Sequence, residues 1–170
     1  MARTDTLPFT ANSFTGTRGL VSPAALVVKS LAASYRYGWA FDDTGAEGIC
    51  SQAVIFPDEF TGAGTLKCEL QFSAASTSGN AAFNVSVEAV TPGDPLNLTT
   101  SEDFDTTNAG SRSIAGATIG GNLSLTIDLA NKDNVASGDL FRLAVQRNVG
   151  IGSNATGDLT LWAVSIFEEI

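Results

Sequence analysis

The feature that most constrains the fold is a strict alternation of apolar and polar side chains in several short segments. It is clearest in Leu66–Phe72, where every second residue is apolar. Side chains along a β-strand point to opposite faces in turn, so the alternation predicts strands with one face in a core and one in solvent. The pattern recurs in Phe83–Glu88, Leu123–Leu129 and Phe141–Gln146. Such alternation is typical of antiparallel sheets.

Turn-forming residues separate these segments, as in Gly120-Gly121-Asn122 and Ser137-Gly138-Asp139. No capped helical stripe of ten or more residues occurs between them. We count about eight or nine strands, a number typical of sandwiches. The sequence therefore predicts an all-β protein, an antiparallel β-sandwich of jelly-roll or Greek-key type with an extended N-terminal arm. An immunoglobulin-like sandwich is the alternative.

Two connections between strands follow from the spacing. Ile49–Phe56 and Thr65–Ser73 are predicted to be consecutive strands of a hairpin. That register brings Cys50 close to, but not opposite, Cys68, so we favour free, buried thiols and leave a disulfide open. The long acidic segment Thr91–Ser113 is predicted to cross between two sheets.

Two strands have unusual patterns. Leu159–Phe167 has apolar residues at both odd and even positions, so we expect it to be covered on both faces. Tyr35–Phe41 places four aromatic rings on one face, and Gly38 weakens the other face or allows another backbone to approach closely. This aromatic row is interpreted as core, with an intersubunit or ligand-facing row as the alternative.

The N-terminal segment differs from the rest. We predict an arm and first strand at 1–30 and a single sandwich domain at 31–170. The arm has two isolated aromatic residues, Phe9 and Phe14, together with Arg3 and Arg18. Such a segment is either a frayed terminus or an arm that packs on a neighbouring subunit.

Composition excludes several functions. The chain has no histidine, which removes the commonest general base and metal ligand. Eighteen acidic residues against nine basic ones give a charge of −9, without a basic stripe, so neither nucleic acid nor an anionic membrane is an expected partner. We find no secretory signal or spanning segment. We predict no enzyme, no catalytic residue, no cofactor and no metal.

Carboxylates are the remaining candidates for chemistry. Asp42–Glu47 follows the aromatic strand and is interpreted as a solvated turn, with a calcium site or a glycosidase site as alternatives. Ser101–Asp105 is interpreted as a surface loop. The glycines form no nucleotide-binding fingerprint.

The chain resembles the small all-β decoration, or cement, proteins of tailed bacteriophage capsids. The resemblance lies in its general character over 35–170 and in short runs such as Val85–Asp94 and Ser137–Leu143. It implies a structural protein of the virion, made in the host cytoplasm, that forms a homotrimer and stabilises the shell by binding the major capsid protein.

In such an assembly the predicted contacts are seven residues of the arm and the final strand: Arg3, Phe9, Phe14, Arg18, Trp162, Val164 and Ile166. The alternative function is a receptor- or carbohydrate-binding head domain of a phage tail fibre or a similar adhesin.

Overall fold

The structure is a computed structural model that describes residues 7–10, 13–16, 24–30, 34–98 and 101–170. These residues form twelve strands: β1 (Leu7–Thr10), β2 (Phe14–Gly16), β3 (Ala25–Ser30), β4 (Tyr35–Phe41), β5 (Gly48–Ser51), β6 (Val54–Ile55), β7 (Thr65–Ala74), β8 (Asn80–Val90), β9 (Asn108–Ser113), β10 (Leu123–Asp128), β11 (Leu140–Arg147) and β12 (Leu159–Glu169). No helix in this part of the chain could cross a membrane.

The strands form two antiparallel sheets. Sheet A has the order β10-β7-β12-β4-β3, and β1 pairs with the edge of β12 beyond β4. Sheet B has the order β2-β5-β11-β8-β9, and β6 pairs with β11 beyond β5. The predicted all-β sandwich is therefore confirmed.

The core lies between the two sheets and is rich in phenylalanine. Phe83 of sheet B makes edge contacts with two rings of sheet A, at centroid distances of 5.8 Å to Phe41 and 5.3 Å to Phe72. The alternation in β7 turns Leu66, Cys68, Leu70 and Phe72 into this core. The apolar positions that predicted the strands thus supply the packing that holds the sheets together.

The predicted hairpin of 49–56 and 65–73 is wrong. β5 and β6 pair with β11 in sheet B, whereas β7 pairs with β12 and β10 in sheet A. The turn between them carries the chain from one sheet to the other. Cys50 and Cys68 consequently lie in different sheets, and both are buried and form no disulfide, as we favoured.

The predicted crossover at 91–113 is also wrong. Its last residues form β9, which pairs with β8 in the same sheet, so the segment is a long loop between two neighbouring strands. The sequence prediction missed β9 because Asn108–Ser113 contains no large apolar side chain.

A β-bulge explains the double apolar pattern of the last strand. The pairing of β12 with β7 shifts between Leu161 and Ala163, which leaves Trp162 as the extra residue. Before the bulge Leu159 and Leu161 face the core, and after it Val164 and Ile166 do. The expectation of cover on both faces holds only in part. On the outer face Phe167 is buried, Thr160, Trp162 and Ser165 are half-buried and Ala163 is exposed, and the inward positions change from odd to even at the bulge.

The region predicted as an arm contributes strands to both sheets. β1 pairs with β12, and β2 pairs with β5. Phe9 and Phe14 are 2% and 5% exposed, and their rings lie 5.9 Å apart. This corrects the prediction that these two side chains pack on a neighbouring subunit, since they fill the core of their own chain.

Candidate functional site

The ring of Trp162 lies on the outer face of sheet A. The bulge turns this side chain outward, and the neighbouring strand β4 has Gly38 beneath the ring: a Cβ atom there would lie 2.6 Å from Trp162 Cε3. The indole Nε1 donates a hydrogen bond of 3.1 Å to the hydroxyl of Ser73. The ring thus packs closely over Gly38 of β4, which has no side chain, and is held by the hydroxyl of Ser73 of β7. It is half-buried.

A groove of about 400 Å³ opens beside this ring. Its volume falls in the range of about 300–1,000 Å³ that is typical of small-ligand sites. The lining combines one aromatic face with charged and hydroxyl groups, and consists of Lys29, Arg36, Ser73, Ala74, Ala75, Ile119, Gly120, Asp158, Thr160 and Trp162. An aromatic platform with polar groups around it is suited to a ligand that has both apolar and hydroxylated faces.

The aromatic row of β4 is divided between core and surface. Trp39 and Phe41 are buried, as the core interpretation predicted. Tyr35 and Tyr37 are 67% and 45% exposed. With Leu26 and Val28 of β3, also exposed, they form an apolar surface on the face of the β3–β4 hairpin opposite the groove.

Two other openings are weaker candidates. The first, of about 680 Å³, lies beside the 91–103 loop and has no aromatic lining. Two of its carboxylates already accept hydrogen bonds from the backbone: Asp94 from the amide of Thr91, and Asp133 from the amide of Ala89. Burial raises the pKa of Asp133, and neighbouring carboxylates add to this effect, despite the hydrogen bond from Ala89.

The second opening lies on the outer face of sheet B and has a volume of only about 80 Å³.

The acidic loop at 42–47 is a turn closed by its own hydrogen bonds. Asp42 Oδ1 accepts from the hydroxyl and the amide of Thr44, at 2.6 and 2.7 Å, and these bonds lower the pKa of Asp42. Glu47 accepts from the amide of Asp42, and Asp43 accepts from that of Gly157. The carboxylates therefore support the loop, in agreement with the interpretation as a solvated turn.

The acidic loop at 101–105 covers the outer face of sheet B. Glu88, which is 2% exposed, pairs with Arg142 at 2.5 Å and accepts from the amide of Asp103. Arg142 also lies 5.2 Å from the ring of Phe104. Its hydrogen bond to Glu88 raises the pKa of Arg142. Within the described ranges, no three His, Cys, Asp or Glu side chains converge as a metal site would require.

The predicted assembly residues do not form one surface. Phe9, Phe14, Val164 and Ile166 lie in the core, so the structure corrects their assignment as contacts, and Arg3 and Arg18 lie outside the described residues. Trp162 is the remaining member, and it lines the groove.

The sequence reasoning missed the other groove residues. Lys29 and Arg36 stand on strands whose partner it did not identify, and Asp158 and Thr160 were not singled out. The one available signal was Gly38, which predicted a close approach. The groups that approach it are the Trp162 ring and the carbonyl of Leu161.

Comparison with known proteins places the fold in a recognised class. The chain is similar to a xylan-binding module, with a TM-score of 0.52, 15% identity and coverage of 97% of each chain. It is similar to the K1 adhesin domain of Lys-gingipain from Porphyromonas gingivalis, with a TM-score of 0.52, 12% identity and coverage of 98% of this chain and 99% of that one.

A third solved structure of the same class is a carbohydrate-binding module specific for non-crystalline cellulose. Its TM-score is 0.50 at 10% identity, covering 94% of this chain and 89% of that one. The fold is thus the β-sandwich found in carbohydrate-binding modules. No family model matches the chain, and no curated protein matches it.

Proposed function

We propose that this protein is a non-catalytic carbohydrate-binding domain and that the groove beside Trp162 is its ligand site. The observation that carries the proposal is the half-buried Trp162 ring, held over Gly38 and bordered by polar side chains. A pyranose ring has apolar C–H faces and hydroxyl edges. The indole packs against such a face, while the surrounding charged and hydroxyl groups bind the edges.

The neighbours in fold support the same function. Two of them are described as binding xylan and non-crystalline cellulose, and a third is an adhesin domain. Because the sequence resembles phage virion proteins, we propose further that this domain is the carbohydrate-binding head of a tail fibre or a similar adhesin.

The role of capsid cement stays a prediction. Two features favoured it, an arm that reaches a neighbour and a final strand with two apolar faces. The structure accounts for both within one chain, because Phe9 and Phe14 are in the core and a bulge at Trp162 switches the inward positions. A trimer in light scattering, together with binding to capsids that lack the protein, is the result that this role requires.

The test of carbohydrate binding is a glycan array followed by titration of soluble hits. Trp162 and Trp39 are the two tryptophans of the chain, and Trp39 is buried, so a ligand in the groove should change the fluorescence of Trp162. We expect Trp162→Ala, measured by titration calorimetry because the variant lacks the fluorescent ring, to weaken binding at least about tenfold, as for an aromatic hot spot.

The matched control is Tyr37→Ala, which removes an exposed ring from the opposite face of the hairpin and should leave binding unchanged. Full binding by Trp162→Ala, with loss in Tyr37→Ala, moves the site to the tyrosine surface. An array without hits contradicts the proposed function.

A further inference from the structure

The groove contains two cations that face each other across adjacent strands. Lys29 of β3 is the register partner of Arg36 of β4, and both side chains are exposed and line the groove. The guanidinium of Arg36 lies 5.9 Å from the centroid of the Trp162 ring. Like charges directly opposite each other on neighbouring strands destabilise a sheet. The arrangement is therefore a local cost to the fold.

Two of the other described cations have carboxylate partners, whereas Arg112 and Lys132, like the groove cations, form no salt bridge with a described residue. Lys67 pairs with Asp128 and Glu169, at 3.1 and 2.5 Å, and Arg142 pairs with Glu88 and Glu102. Within the part of the chain that the structure describes, neither Lys29 nor Arg36 forms a salt bridge. Lys29 and Arg36 lack a salt bridge although the chain has eighteen acidic residues and only nine basic ones.

The carboxylate that lines the groove does not cancel this charge. Asp158 is one of the acidic groups whose field acts on the fully buried Arg147. Among the described residues Arg147 donates no hydrogen bond to a carboxylate; it donates to the carbonyls of Phe41, Ala155 and Gly157. The lining of the groove thus has two cationic side chains, Lys29 and Arg36, against the single carboxylate of Asp158.

We propose that the groove selects glycans that carry an anionic group, a carboxylate or a sulfate ester. The inference rests on the proposed carbohydrate-binding function and names the class of its ligand. The planar guanidinium of Arg36 matches two oxygens of such a group, and Lys29 adds a second charge. Trp162 packs against the sugar ring that bears the anion. Binding relieves the repulsion between the two cations.

The test compares charged oligosaccharides with neutral forms of the same chain. The probes are an oligogalacturonide and its carboxyl-reduced product, and a sulfated galactan oligomer and its desulfated product, titrated while Trp162 fluorescence is measured. We expect each anionic probe that binds to do so at least about tenfold more tightly than its neutral form at low salt. That preference should shrink in about 0.5 M NaCl because salt screens exposed charges. Tighter binding by either anionic probe supports the inference and names the anion.

The variants Lys29→Gln and Arg36→Gln should weaken binding of the anionic probe but not of its neutral form. Arg36→Lys, which keeps the charge, should retain part of the preference, an outcome that a purely structural role of Arg36 does not predict. Arg112→Gln removes one positive charge from the edge strand β9, outside the groove, and is the matched control.

Two negative outcomes have different meanings. If the charged and neutral forms bind equally and Arg36→Gln changes neither, the inference is overturned while carbohydrate binding stands. If no glycan on the array binds and none changes Trp162 fluorescence, the proposed function fails, and the inference fails with it.

Discussion

At the scale of single residues, Gly38 allows the Trp162 ring to lie where it lines the groove. Any side chain at this position meets both the Trp162 ring at 2.6 Å and the backbone oxygen of Leu161 at 2.8 Å. The ring could move outward, but the carbonyl belongs to a paired strand. A glycine in the middle of a strand is otherwise unfavourable, so its presence here is explained by this close approach.

We predict that Gly38→Ala displaces Trp162 and destabilises the fold by about 1–3 kcal/mol, as overpacking does. Glycan binding should fall together with the change in Trp162 fluorescence. The control is Gly45→Ala, because a Cβ there meets nothing within 4 Å. Urea unfolding and the binding titration give the two readouts. Wild-type values of both in Gly38→Ala would contradict this account of the groove.

Arg147 is a second residue whose role is set by its surroundings. It occupies an inward position at the end of β11 and is fully buried. Burial lowers the pKa of Arg147, while Asp43, Asp158, Asp42 and Glu47 act in the opposite direction. By donating to three carbonyls, the Arg147 side chain links the end of β4 to the turn at 155–157. The wall of the groove that contains Asp158 therefore depends on a residue outside the groove.

At the scale of elements, β1 is an integral strand of sheet A. Its pairing with β12 begins where β4 stops, and Phe9 contacts Phe14 and Phe141 at centroid distances of 5.9 and 6.3 Å. The short strand thus joins both sheets through one ring. Its contribution to stability belongs to the monomer.

We predict that Phe9→Ala lowers the free energy of unfolding by about 3–5 kcal/mol, the usual cost of truncating a buried phenylalanine. The loss should be the same at low and high protein concentration. Chemical denaturation at two concentrations measures it, with exposed Leu98→Ala as the control. A loss that appears only at high concentration would instead indicate an intersubunit contact.

The end of β12 fixes the loop before β7 through one carboxylate. Glu168, 2% exposed, accepts hydrogen bonds from the amide of Gly64 at 2.7 Å and from the amide and hydroxyl of Thr61 at 2.9 and 3.1 Å. Burial acts to raise the pKa of Glu168, but these bonds outweigh it, and the pKa lies below its ordinary value. The ionised form is therefore favoured by folding.

We predict that Glu168→Gln costs about 1–2 kcal/mol at neutral pH, because the amide cannot accept all three bonds. A lowered pKa stabilises the fold fully above the unfolded-state value, and that stabilisation is lost as the pH falls through the folded-state value. The difference from wild type should therefore shrink at acidic pH. Urea unfolding across the pH range measures it, with exposed Glu59→Gln as the charge-matched control. A difference that does not change with pH would contradict the role of the ionised carboxylate.

At the scale of the whole molecule, the two cysteines show how the chain divides between sheets. Cys50 pairs in register with Ala144 in sheet B, and Cys68 is in the core on β7 of sheet A. Burial raises the pKa of the Cys68 thiol, so the reactive thiolate is disfavoured as well as inaccessible. Redox state should not control the stability of this fold.

We predict that neither thiol reacts quickly with a thiol reagent in the native protein at pH 8, and that both react once guanidinium unfolds it. Reductant should leave the unfolding midpoint unchanged. A disulfide would show the opposite, with thiols detected in the unfolded protein only after reduction. The measurement needs no variant, since the chain contains only these two cysteines.

The sequence by itself determined the class of fold and most of the core. Alternation along β7, β8, β10 and β11 specifies which side chains face inward, because a strand has a period of two wherever it is paired. The absence of histidine and the excess of acidic residues limited the possible chemistry through composition alone. None of these properties depends on which strands are partners in the sheets.

Only the tertiary structure decided which strands are partners and where the groove lies. Period-two patterns do not encode the sheet to which a strand belongs, so β5 and β7 were wrongly predicted to be partners. One bulged residue reversed the inward positions of β12 and turned Trp162 outward. Lys29, Arg36 and Trp162 come from three strands, and Gly38 allows their approach because pairing places it beneath the ring. Long-range pairing, which no local pattern specifies, therefore creates the site.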